Sequence, residues 1–514
     1  MPRIVARSRV GIQTRVDPLL AVTTDPGVLT LVLLSIAVAL ALGFEFVNGF
    51  HDTANAVATV IYTNTLKPTP AVVWSGLWNL IGVLTSSGTV AFGIVSLLPV
   101  ELVLNVGTTA GFAMVFSILV SAIFWNLGTW WLGLPASSSH TLIGSILGVG
   151  IANSLLGTTH SVTDGVNWSK AKEVMLGLLI SPAIGFAVAA LLLILLKVAL
   201  RNPALFQAPE PGKTPPGWIR GILMTTCTGV SFAHGSNDGQ KGMGLIVLIL
   251  VGLLPGTYAL NLSADRTAIT GLIQESTQLA ATFRSQAVGE PMPGPEAIRT
   301  LSEYLKPMAE ASPKTFAALA TTCDAITPQL QPLGTLADLH PTNRARLRTD
   351  LYLVSKAIHR LDAEGHRKGT SPIHATELRF ASHAEALTQF NPKWVQVSVA
   401  LALGLGTMIG YRRIVRTVGE KIGKDHLTYA QGATAEAVAM AAILTGDHLA
   451  LPVSTTHVLS SGIAGTMAAN ASGLQTETVR NILLAWVLTL PVCIFLGALL
   501  FAAALNLGAL VFGG

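Results

Sequence analysis

Apolar residues run along this chain in long blocks, without the alternating or one-faced patterns of water-soluble domains. Blocks long enough to cross about 30 Å of hydrocarbon fall at about 28–48, 71–97, 111–134, 173–200, 242–260, 394–410, 429–446 and 480–512. Shorter blocks, at about 52–62, 140–157, 218–234 and 457–470, are interrupted by glycine, proline, serine and single ionisable residues. Irregular backbone survives inside a membrane only where protein or a water-filled cavity satisfies it. The pattern predicts an all-α polytopic membrane protein of about 10–12 membrane segments, with broken helices or helical hairpins at the interruptions.

Two of the interruptions recur. Phe46-Val47-Asn48-Gly49-Phe50-His51-Asp52 aligns with Phe232-Ala233-His234-Gly235-Ser236-Asn237-Asp238 at an offset of 186 residues. Leu134-Pro135-Ala136-Ser137-Ser138-Ser139-His140 aligns with Leu451-Pro452-Val453-Ser454-Thr455-Thr456-His457 at an offset of 317. The offsets differ by 131, the length of a polar stretch at 262–392. A single insertion in the second copy reconciles both alignments. The expected organisation is an N-terminal tail (1–27), a first membrane repeat (28–200), a linker (201–217), a second repeat in two parts (218–261 and 393–514), and an extramembrane insert (262–392). The segment Tyr411 to Asp425 carries Arg412, Arg413, Arg416, Lys421 and Lys424, which places it in the cytoplasm. Its counterpart near 98–110 carries only Glu101. Equivalent loops of opposite charge character suggest two inverted-topology repeats, as in secondary transporters.

Composition sharpens this reading. Of 514 residues, 51% are hydrophobic and 11% charged, at a mean hydropathy of +0.58. Soluble domains carry about a quarter charged. The insert alone holds 13 Lys/Arg and 13 Asp/Glu, so the remainder is more apolar still and belongs in lipid. The net charge of +5 comes without runs of basic and aromatic residues, so nucleic acid is not an expected partner. Cys227, Cys323 and Cys493 are too scattered for a disulfide framework or a metal cluster. The apolar run after Arg3, Arg7, Arg9 and Arg15 is long for a cleaved leader and reads as the first membrane helix.

Chemistry concentrates in the repeated motifs. An ionised Asp near the bilayer centre costs about 2.5–3.5 kcal/mol unless paired or hydrated. Asp52 and Asp238, at equivalent positions, therefore invite a cation or a proton, and the flanking Gly and Ala let the backbone unwind toward a ligand. Capping of a helix start beside the headgroups is the plain structural alternative. In the second motif pair, proline followed by hydroxyls makes a helix N-terminus. There, backbone N–H groups and the positive dipole end hold oxyanions without a lysine or arginine. Ordinary helix capping again competes. Glu45 reads as a proton site, and Lys241 either pairs with Asp238 or meets the anion directly. Trp125, Trp130, Trp131 and Trp486 read as packing or interfacial aromatics.

These residues resemble the PiT-type inorganic phosphate transporters, most closely their bacterial low-affinity branch, over nearly the whole chain from about Thr30. The similarity is carried by GFHDTANAVATVIYT at 49–63, WNLGTWWLGLPASSSHTLIG at 125–144, AHGSNDGQKG at 233–242 and LPVSTTHVLSSGIAGTM at 451–467. The resemblance implies cation-coupled phosphate symport through an inverted-repeat fold in the cell inner membrane. It implies the proton as coupling ion, and inorganic phosphate, or a neutral complex of phosphate with a divalent metal, as substrate. A homo-oligomer is compatible with it; no cofactor is implied. The expected substrate-binding residues are Ser137, Ser138, Ser139, His140, Thr141, Asn237, Gln240, Lys241, Ser454, Thr455, Thr456 and His457. The expected cation-coupling residues are Asp52, Asn55, Asp238, Glu45 and His51. The sodium-coupled branch carries Asn at the positions of His51 and Lys241, which argues against sodium here.

Other readings stay open from sequence. A sulfate permease would use the same scaffold. A passive anion channel would differ in failing to move its ion uphill. A membrane-bound phosphate-handling enzyme would need a nucleophile or metal-ligand set; no GxxxxGK[ST] loop or HExxH spacing is present, so no enzyme is expected.

Overall fold

The computed structural model describes residues 27–512 apart from 99–102, 104–107, 157–164, 201, 211, 265, 289–291, 307–308, 332 and 366–371, with the side chains at 52–55, 372 and 508–512 also left out. All named elements are helices. The first half comprises α1 (Val28–Tyr62), α2 (Pro68–Thr85), α3 (Thr89–Val95), α4 (Thr109–Trp131), α5 (Ser138–Leu156) and α6 (Trp168–Ala199). After α7 (Gly217–Leu253) come α8 (Arg266–Gln286), α9 (Gly294–Tyr304), α10 (Pro313–Leu330), α11 (Pro341–Ala363) and α12 (Pro372–Thr388). The chain closes with α13 (Lys393–Ile409), α14 (Tyr429–His448), α15 (Thr455–Ala469) and α16 (Thr476–Phe512).

Local chemistry sets many of these ends. Pro68 opens α2, where its missing N–H costs nothing. Thr108 caps α4 by accepting from Gly111 N, and Thr428 with Gln431 forms a capping box at α14. The unwinding expected at Gly49 and Gly235 does not occur, because α1 and α7 run helically through both motifs. These glycines serve helix contact instead. A Cβ on Gly49 would strike the α13 backbone at Leu403 and Thr407, and one on Gly235 the α2 backbone at Asn79. Small residues at such crossings let membrane helices pack backbone to backbone.

The contacts are exchanged between the halves. The first helix of each half lies on the second membrane helix of the other, α1 on α13 and α7 on α2. Likewise α5 packs on α16 and α15 on α6. The outer faces of α6 and α16 expose Leu179, Leu191, Leu195, Leu483, Leu484 and Val487, an apolar surface fit for lipid rather than water.

Five single helices are long and apolar enough to cross a membrane, α1, α4, α5, α6 and α16; the bent pairs α2–α3 and α12–α13 raise this to seven among the described residues. The sequence reading of ten to twelve segments also counted stretches within α7, α14 and α15. Those helices are heavily buried, so they need not be uniformly apolar to sit at membrane depth.

Helices α8–α12 pack on one another around Leu272, Phe283, Leu319, Leu351 and Phe380. Arg344 ties this bundle to the chain after α7, donating to the Gly256 carbonyl at 2.7 Å. Through α13, the bundle and the basic segment 411–425 are attached at opposite ends of one helix.

Candidate functional site

Helices α5 and α15 start alike. Ser137 Oγ accepts from His140 N at 3.2 Å, and Ser454 Oγ accepts from His457 N at 3.2 Å. Each cap satisfies one first-turn donor and leaves others to be met from outside the helix. The two starts meet inside the protein. Ser139 Oγ donates to the Val453 carbonyl at 3.4 Å, and the His140 and His457 rings lie 4.5 Å apart. Trp486 of α16 packs on His457 at 4.1 Å and donates its indole N–H to the Pro135 carbonyl at 2.8 Å. It thus braces both starts, a packing role like that expected of it.

Every residue from Ser137 to Thr141 and from Ser454 to His457 is buried. Thr455 Oγ1, His140 Nδ1 and His457 Nε2 nevertheless lack a hydrogen-bond partner among the described residues. Buried polar atoms are rarely left so, because each costs about 1–3 kcal/mol. Three of them at one junction point to a ligand that would complete them.

Helix α7 brings charge to the junction. Lys241 Nζ lies 2.6 Å from Asp238 Oδ1 and donates to Ser139 Oγ at 2.5 Å. Ser138 Oγ donates to Asp238 Oδ2 at 3.4 Å. His234 Nε2 sits 3.5 Å from Asp238 Oδ2, while its Nδ1 meets Asn79 Oδ1 at 2.8 Å. Of the two roles that sequence left open for Lys241, this geometry displays the ion pair. Asn237 clamps the α14–α15 turn, donating to the Leu451 carbonyl at 3.3 Å and accepting from Val453 N at 3.4 Å. Lys241 is the buried cation of this cluster.

The other expected residues are placed as follows. Thr141 Oγ1 donates to Asn126 Oδ1 at 2.9 Å. Gln240 is engaged by Asp447 Oδ1 at 2.6 Å and by Val90 N at 2.8 Å, which joins α7 to α14 and α3. Glu45 accepts from Asn48 Nδ2 at 3.3 Å and packs against Gly242 of α7, with its Oε1 unpartnered among the described residues. His51 Nε2 meets Thr129 Oγ1 of α4 at 3.1 Å. Thr456 is buried beside the junction. The side chains of Asp52 and Asn55 fall outside the described residues.

Sequence reasoning passed over one buried acid and one half-buried acid. Glu436 of α14 accepts from Thr226 at 2.5 Å and from Thr59, a junction of α1, α7 and α14. Asp447 accepts from Ser236 at 2.7 Å as well as from Gln240. A lone acid inside an apolar block was signal enough to flag Glu436. Its partners, more than 200 residues away in sequence, carried none.

The profile of the "Phosphate transporter family" matches residues 48–497. The chain is 40% identical over 496 residues to "Low-affinity inorganic phosphate transporter PitB" of Escherichia coli (strain K12), and 41% over 494 residues to PitA of the same strain. Each alignment spans 92% of this chain and 97% of the relative. Among solved structures, "The sodium-dependent phosphate transporter" superposes with a TM-score of 0.50 at 18% identity, over 93% of this chain and 99% of that one, a likeness of fold. With these matches running almost end to end, and with apolar helices that suit a multi-pass membrane protein, the chain belongs to the phosphate transporter family.

Proposed function

We propose that this chain imports inorganic phosphate across the cell inner membrane by proton symport, holding the anion where the first turns of α5 and α15 meet. One observation carries the site: two identically capped helix starts face each other around buried polar atoms without partners. Helix N-termini hold oxyanions through backbone N–H groups and dipole. The hydroxyls of Ser137, Ser138, Ser139, Ser454, Thr455 and Thr456 add donors suited to a tetrahedral ion. Family membership supplies the substrate class, and the relatives' names agree with it. At neutral pH phosphate retains a proton to donate to a carboxylate such as Asp52, whereas sulfate has none.

Proton coupling belongs to Asp52, Asp238 and Glu45, with His51 and Asn55 beside Asp52 in sequence. Lys241 already stands against Asp238, which supports a site independent of sodium. A divalent metal would then enter only as part of a neutral phosphate complex. The exchanged packing of the two halves supports alternating exposure of the junction by inverted repeats that rock against each other. If 411–425 faces the cytoplasm by its charge, the insert stands outside, at the other end of α13.

The test is uptake into proteoliposomes with imposed pH or sodium gradients, phosphate and sulfate in parallel. Phosphate should accumulate under an inward proton gradient without sodium, and sulfate should not. Uptake that needs sodium and ignores a proton ionophore would refute the coupling. Movement that never runs uphill would make the protein a channel.

A further inference from the structure

The hydroxyl groups best placed to receive an anion are spoken for by the protein itself. Ser138 Oγ donates to Asp238 Oδ2 at 3.4 Å, and Ser139 Oγ donates to the Val453 carbonyl at 3.4 Å. Each hydroxyl has one proton to give, and both are directed at internal acceptors. Lys241 is committed too, lying 2.6 Å from Asp238 Oδ1 and donating to Ser139 Oγ at 2.5 Å. All four side chains are buried, with exposures of 2% or less. In so dry a place two anions close to one ammonium repel strongly, since Coulomb energies scale inversely with the local dielectric constant.

Granting phosphate the position given above, we propose that the Asp238–Lys241 pair is an internal competitor for phosphate. The Asp238 carboxylate takes the Ser138 proton and the Lys241 ammonium, the same two donors that an entering phosphate requires. Binding opens the pair and turns Lys241 from Asp238 to the anion; re-forming the pair expels the anion on the far side. Lys241 is therefore a positioning residue in the resting arrangement and a direct ligand only when phosphate is held. A transporter built this way releases its cargo readily and binds it weakly. The weak binding is in keeping with the relatives' name as low-affinity transporters.

The competition predicts an effect opposite in sign to that of a simple binding or coupling residue. Asp238→Asn keeps the side chain's shape but surrenders its charge. It should tighten equilibrium phosphate binding by roughly ten- to a hundred-fold, the worth of one freed charge-assisted hydrogen bond. Turnover should fall at the same time, because nothing remains to displace the anion. Lys241→Met should weaken binding by at least ten-fold.

The measurement is saturation binding of radiolabelled inorganic phosphate to the purified full-length protein in detergent, alongside uptake by the same variants in proteoliposomes. Asp238→Asn that binds phosphate no more tightly than wild type overturns the proposal. Removing both partners of a buried pair is tolerated better than removing one, so Asp238→Asn/Lys241→Gln serves where the single variant fails to insert. Freed of the competitor but lacking the Lys241 ammonium, the double variant should bind phosphate at least ten-fold more tightly than Lys241→Gln alone. Binding no tighter than that of Lys241→Gln would mean that Asp238 does not compete with the anion, and would overturn the proposal equally. No saturable binding by wild type would instead remove the site at the helix junction, and the competitor with it.

Discussion

Replacing Thr455 by alanine isolates the contribution of one hydroxyl to anion binding. Thr455 Oγ1 is buried, 2% exposed, and has no hydrogen-bond partner among the described residues. The cap of α15 is made by Ser454, not by Thr455. Removing the hydroxyl therefore breaks no internal bond, and the helix start should persist. If Thr455 donates to phosphate, its loss costs one hydrogen bond to a charged group, about 1.5–3 kcal/mol. That corresponds to roughly ten- to a hundred-fold in apparent affinity. The backbone N–H groups remain, so uptake at saturating phosphate should continue. Ser138→Ala reports on the other half, and the double variant should lose affinity by about the product of the two single effects if both halves grip the same ion. The assay is the concentration dependence of initial uptake rates, with thermal unfolding of each variant as the control for folding. Wild-type affinity in both single variants, or a double variant no worse than one single, would refute a shared cage at the junction.

Two further outcomes concern the frame around the site. Gly235→Ala would drive a methyl group into the backbone of α2 at Asn79, where no flexible side chain can yield; a destabilisation of about 3 kcal/mol, the upper range for overpacking, should appear as a lowered melting temperature in detergent, and an unchanged one would show that the helices separate freely. In the insert, burial pushes the Asp350 carboxyl up to about 6, against the opposing Gln329 amide at 3.1 Å and Arg346. The folded state then binds the proton more readily than the unfolded chain, so the insert should lose about 2–3 kcal/mol as pH rises through about 4 to 6. Asp350→Asn should abolish that slope in amide exchange of α10 and α11, corrected for intrinsic rates; a slope unaltered by the substitution would place its origin elsewhere.

Much of the architecture was legible because its causes are local or periodic. A helix start needs only a proline, hydroxyls and a following apolar run, all within one turn, so the beginnings of α5 and α15 could be read directly. Membrane-crossing blocks follow from length and hydropathy. The motif pairs suggested two related halves by repetition, without any knowledge of how the halves pack. Glycine was less transparent. The same residue permits either unwinding or close helix contact, and only the approach of α13 to Gly49 and of α2 to Gly235 decided for contact. The tertiary structure also decided which polar groups meet. Lys241 reaches Ser139 across 102 positions, Asp447 reaches Gln240 across 207, and Thr226 reaches Glu436 across 210. Each meeting depends on the rotation of one helix face against another, a quantity set by packing over the whole interface and absent from any local stretch of sequence.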